Sequence, residues 1–265
     1  MSTLIDHLVT RIRAHRCYHH PLFDHWVQSR PDWQAIGAFF HHMQCTCSAS
    51  RPGWSFDKGL EQIGAETDTL RAIVASEENH GPHLATMTAF LMNRAARQTI
   101  CSDVYDQDAV ETVMRDCSVK YFGAFPGYDR ATGRLKQDRR VSMVYGRRKR
   151  TDRESTYRNI GTLIATEIIA SGHVFPGELR CLFESGYYGA KRDDPEMEYL
   201  FEHAGQDGAE AWHAEKAIAA TAKVLDPSNE PLIREGAQEI LDALAEMWDL
   251  LDATLLIPDL ADAAA

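Results

Sequence analysis

Apolar residues recur every three or four positions along most of this chain, and period-two alternation is rare, which predicts helices and almost no strand. Leu4, Ile5, Leu8, Val9 and Ile12 mark a first helix that ends near the Cys17–Pro21 segment. A second is expected from about Pro31 to Ser48, with the proline suited to a first helical turn. A third starts near Phe56 and carries Leu60, Ile63, Leu70, Ile73 and Val74 until Gly81-Pro82, where proline should kink or end it. The apolar series resumes at Leu84, Met87, Phe90 and Leu91, and another helix is expected from Asp106 to Tyr121. Gly123 to Arg150 is rich in Gly and Arg and weakly periodic, so it predicts a long loop or short hairpin, a feature that is often functional. Helices follow over Ser155–Ser171, Gly177–Ser185, Pro195–Leu225 and Pro231–Leu255. The last has the clearest stripe, formed by Ile233, Ala237, Ile240, Leu244, Met247, Leu251 and Leu255. With no internal repeat and no strong linker, residues 1–265 are expected to form one all-α domain of seven to eight helices.

A stripe that faces a core should stay apolar, because a buried charge costs several kcal/mol unless it is paired or coordinated. Three stripes break this rule. Leu70–Ile73–Val74 continues to Glu77 and His80, three residues apart and so on one helical face, with His83 three further on beyond Gly81-Pro82. In LIATEIIA a single acid, Glu167, stands in an otherwise apolar octet. On the long helix Leu200 is followed by His203, Asp207 and Glu210 at steps of three and four. His213 falls about a quarter turn off that stripe, unless a bulge at Gly205 and Gly208 turns it inward. Each break taken alone also fits a solvated helix face or a buried salt bridge. Together they match the carboxylates and imidazoles with which helical bundles hold paired iron or manganese ions. The ferritin-like plan needs two lone acids between its E-x-x-H motifs; here Glu77-x-x-His80 and Glu210-x-x-His213 are accompanied by Glu167 alone.

Composition narrows the setting. The chain of 265 residues is 44% hydrophobic and 25% charged, as in ordinary globular proteins. Its formal net charge of −11 argues against a protein that lives on nucleic-acid phosphates. The six cysteines form no C-x-x-C pair, which removes a zinc finger, and a chain of this length needs no disulfide framework. No apolar run reaches the roughly 18 residues of a membrane span, and MSTLIDHLVTRIRAHR has no signal-peptide apolar region. A soluble protein of a reducing cytoplasm is expected.

The order of these motifs, an acid and His on one helix, a single Glu in an apolar helix, then His-x-x-x-Asp with a later His, resembles the heme-oxygenase-like diiron oxidases. These are relatives of the heme oxygenase, TenA thiaminase and PQQ-synthase folds, and the His20-Pro21 segment adds to the likeness. The resemblance implies a compact heme-oxygenase-like bundle holding two Fe(II) ions per chain, with manganese as the alternative metal. It assigns metal ligation to Glu77, His80 or His83, Glu167, His203, Asp207 and either Glu210 or His213, with Glu167 as the bridging, catalytic carboxylate. The family places its final His three or four residues after the Asp, where this chain has Glu210 and Ala211, so the second metal position departs from the pattern. Relatives decarboxylate fatty acids, oxidise amines, and cleave or rearrange amino acids. The implied partners are therefore O2 and a small amino-acid-like or carboxylate substrate, with no nucleic acid or membrane and a homodimer as the candidate assembly. Arg147-Arg148-Lys149-Arg150 and Arg158 are candidate substrate-carboxylate partners, and Tyr145, Tyr157, Phe201 and Trp212 candidate pocket walls. Three rivals stay open: a metal-free relative using Cys45, Cys101 or Cys117, a heme enzyme using His15, His19 or His20, and a helical interaction protein without catalysis.

Overall fold

Thr3 begins the first helix, α1 (Leu4–Arg13), with a reciprocal cap: its hydroxyl accepts from the Asp6 N–H, and the Asp6 carboxylate accepts from the Thr3 N–H. The computed structural model describes residues 3–50, 54–64, 68–69, 80–204 and 209–256, and among these there is no β-strand. A 3-10 turn over Arg16–His19 leads to α2 (Leu22–Ser29), which ends at Arg30 in the left-handed region. Then come α3 (Trp33–Ser50), α4 (Trp54–Gln62), α5 (His80–Ala96), and α6 (Gln107–Phe122), whose Asp106 cap accepts from the Ala109 N–H. They are followed by α7 (Lys136–Gly146), α8 (Arg153–Ile169), α9 (Glu198–His203), α10 (Ala209–Val224) and α11 (Glu230–Leu251). None of the described helices is long and apolar enough to cross a membrane.

Two elements differ from the sequence expectation. The Gly123–Arg150 stretch holds a helix, α7, because Val141, Val144 and Tyr145 bury one face between outward-facing arginines and Asp138 caps its start. The third helix expected through Leu70, Ile73 and Val74 falls largely outside the described residues, and Gly81-Pro82 lies in the first turn of α5 as described, where a proline forfeits no intrahelical bond. The single long helix expected over Pro195–Leu225 is two: Ala204 leaves α9 with ψ 141, and α10 starts afresh at Ala209. α8 runs on as π-helical turns over Ala170–Val174 and Leu179–Glu184, separated by Phe175–Glu178.

The buried apolar side chains join into one cluster reaching from Leu8 to Leu256, with Trp26, Phe39, Phe40 and Trp248 among its largest members. α8 lies against α11 more extensively than any other pair, and α3 packs on α5, α6 and α7. α10 lies against α8 and α9 against α5, which sets the elements carrying Glu167, His213, His203 and His83 side by side.

Candidate functional site

Glu167 lies in the last turn of α8, flanked by buried Leu163, Ile164, Ile168 and Ile169, and is itself only 8% exposed. His213, on α10, is 1% exposed, and its Nδ1 stands 3.8 Å from Glu167 Oε2. That gap is longer than a hydrogen bond but within the span of two donors each about 2 Å from one ion. The helix break at Ala204 resolves the phase problem posed by the sequence. Because α10 is a new helix, its rotation is not tied to α9, and His213 turns inward without a bulge in a continuous helix.

His203 is 2% exposed at the end of α9. Its Nδ1 lies 2.6 Å from the Tyr199 carbonyl, so Nδ1–H donates there and the lone pair of the neutral ring sits on Nε2. Phe175 stacks on the same imidazole with centroids 4.7 Å apart and fixes its plane. On α5, His83 is half-buried, and its Nδ1 is buried with no hydrogen-bond partner. Glu77 and Asp207 lie outside the described residues, and His80 and Glu210 are described in backbone only. Among the described residues no group of three or more His, Cys, Asp or Glu side chains is placed to hold a metal ion. The carboxylate and imidazole of the Glu167–His213 pair are donor types that fit iron or manganese.

The basic segment does not act as a unit. Arg147 pairs with Glu239, Arg158 with Glu235 at 3.0 Å and Glu154 at 3.5 Å, and exposed Arg150 lies 3.6 Å from Asp152. Arg148 is different: it is 4% exposed, and its Nε, Nη1 and Nη2 all lack a hydrogen-bond partner. Desolvation pulls its guanidinium down to about 10, against the fields of Tyr145 and Glu167, which raise it. Of the expected pocket aromatics, Tyr145 and Tyr157 are buried, Phe201 packs edge-on to Phe183, and Trp212 is 41% exposed and therefore no inner wall.

Two further buried polar features are absent from the sequence reading. Asp138 Oδ2 stands 2.7 Å from His42 Nδ1, whose Nε2 is 2.9 Å from Ser118 Oγ. The order is that of an acyl-transfer triad, but Ser118 is fully buried and also engages the Tyr128 hydroxyl and the Gly133 carbonyl. The cluster ties the 123–135 loop and α7 to α3. Its sequence signal was His42 on the buried stripe Phe39, Phe40, Met43. Glu178, one turn beyond Phe175, is 2% exposed, and burial pushes its carboxyl up to about 8.

Two of the rival readings lose part of their residue sets. Burial pushes the Cys117 thiol up to about 12 and raises Cys101 as well, which suppresses the thiolate a nucleophile requires; the Cys45 side chain lies outside the described residues. Both ring nitrogens of His15 are engaged, by Asp242 and the Cys17 N–H, and both of His20, by Asp249 and the Leu22 N–H. Neither presents a nitrogen to a heme iron. Comparison with protein-family models, curated proteins and solved structures gives no match to the chain.

Proposed function

We propose that this chain is a non-heme diiron oxidase or oxygenase of heme-oxygenase-like type that uses O2 to oxidise a small carboxylate or amino-acid-like substrate. The observation that carries the reading is the convergence of Glu167 and His213, from two helices, in the buried interior among Leu163, Ile164, Ile168 and Ile169. Glu167, His203 and His213 would hold the ions together with His83, and the remaining positions fall to Glu77, His80, Asp207 and Glu210. When bound, the ferrous pair supplies the O2 chemistry that a protein side chain lacks. The chain contributes the rest. Glu167 offsets cationic charge, the hydrogen bond to Tyr199 holds the His203 tautomer, and Leu163, Ile164 and Ile168 exclude water.

Replacing Glu167 by Ala tests the reading. The variant should keep wild-type helical circular dichroism yet bind at most about half the iron of the wild type and lose iron-dependent O2 consumption. Wild-type iron content and O2 consumption in Glu167→Ala would overturn the assignment.

A further inference from the structure

Arg148 is a buried charge with no hydrogen-bond partner on any of its three nitrogens. A guanidinium carries five N–H donors in a rigid planar fork and cannot shed its proton near neutral pH. Inside a protein such a group is normally paired, since leaving it alone forfeits several kcal/mol of hydration. Here no nitrogen of the side chain has an acceptor, although Arg147, Arg150 and Arg158 around it all have carboxylate neighbours. The surroundings are built rather than accidental. The guanidinium carbon lies 4.8 Å from the Tyr145 ring centre and 6.0 Å from that of Phe56, so aromatic surface flanks the cation while its N–H fork has no protein acceptor. Tyr145 is in turn pinned to α8, its hydroxyl 2.9 Å from Thr166 Oγ1, the residue preceding Glu167. The cation is thus tied, through Tyr145, to the helix that carries Glu167, whose field reaches it.

We propose that Arg148 is the anchor for the carboxylate of a monoanionic substrate, which it holds by a bidentate pair next to Glu167; this rests on the diiron reading for the chemistry but not for the binding. A carboxylate matches the planar fork with two parallel hydrogen bonds. One cation neutralises one charge, so a phosphate dianion would carry a surplus negative charge into a site that already contains Glu167. The aromatic rings of Tyr145 and Phe56 against the guanidinium favour an aliphatic or aryl carboxylate over a polar one.

The test is made on the full chain in EDTA, so that it does not depend on iron. Propionate, hexanoate and phenylacetate are each compared with the primary amide of the same skeleton and with inorganic phosphate, by titration calorimetry and thermal melting. At least one carboxylate should bind and raise the melting temperature while its amide and phosphate do not. Arg148→Lys should weaken that binding by roughly tenfold or more, and Arg148→Met should abolish it. The Met variant should also melt higher than the wild type without ligand, because it removes a buried unpaired charge while filling similar volume. A purely structural arginine would give the opposite shift. Carboxylates binding no better than amides, phosphate binding best, undiminished binding in Arg148→Met, or a Met variant that melts lower each overturn the proposal. Loss of iron binding in a parallel experiment, with the carboxylate response intact, would strike the diiron reading alone.

Discussion

Two carboxyl groups sealed in the same helical interior, Glu167 and Glu178, meet the cost of burial differently. Glu167 has His213 3.8 Å away and the Arg148 cation in its field. Glu178 has its burial alone, which raises its carboxyl from an ordinary 4.5 to about 8, and its Oε2 has no hydrogen-bond partner. Between these two values the native state keeps a proton that the unfolded chain has released. Stability is therefore fully present below about 4.5 and is lost as pH rises through about 8. Glu178→Gln should remove that slope. In urea melts the variant's advantage over wild type should grow with pH by at most about 1.4 kcal/mol per unit across the window. An advantage that stays constant, or shrinks as pH rises, would show that Glu178 is ionised in the folded protein.

At the scale of elements, the crossing of α8 and α11 is decided by two glycines. A Cβ on Gly161 would lie 1.8 Å from the Ile233 carbonyl oxygen, and one on Gly236 would lie 1.9 Å from that of Arg158. Thr162 Oγ completes the contact by donating to the Gly236 carbonyl at 3.2 Å. Both obstacles are backbone, so neither can rotate aside. Gly161→Ala should cost about 3 kcal/mol or more. Gly146→Ala, which meets nothing within 4 Å at φ −60, should be neutral or stabilising. A Gly161→Ala protein that melts with the wild type would mean the helices do not cross there.

These elements also show what could be read from the chain alone. Helices with a long unbroken stripe, such as α11 with Ile233, Ile240, Leu244 and Leu251, were legible because core packing and local periodicity agree. α7 was hidden because Val141, Val144 and Tyr145 sit among five arginines, and only the tertiary contact with α3 and α11 shows which face is buried. Glu167 was legible as a lone acid among isoleucines. His213 was ambiguous because Gly205 and Gly208 signal a possible interruption but not how helical phase is reset across it. Arg148 was visible only as one of four basic residues, since nothing local separates a buried cation from its exposed neighbour Lys149.

Across the whole molecule, the N-terminal segment is fastened to the last helix by a ladder of polar pairs. His15 meets Asp242 and His20 meets Asp249, each at 3.1 Å, while His25 reaches Asp252 at 2.8 Å and Arg16 clasps Asp249. Burial works to raise the Asp249 carboxyl, but the bonds from Arg16 and His20 outweigh it and hold it below the usual carboxylate range. The proposed centre would draw its ligands from α5, α8, α9 and α10, elements other than those that carry this clasp's pairs. The account therefore stands or falls on metal. Anaerobic titration of the intact protein with Fe(II), iron counting after desalting, and optical spectra on admission of O2 test it most directly. About two irons per chain and a transient visible band on exposure to O2 are the predicted result. A protein that takes up no iron at micromolar Fe(II) would contradict it.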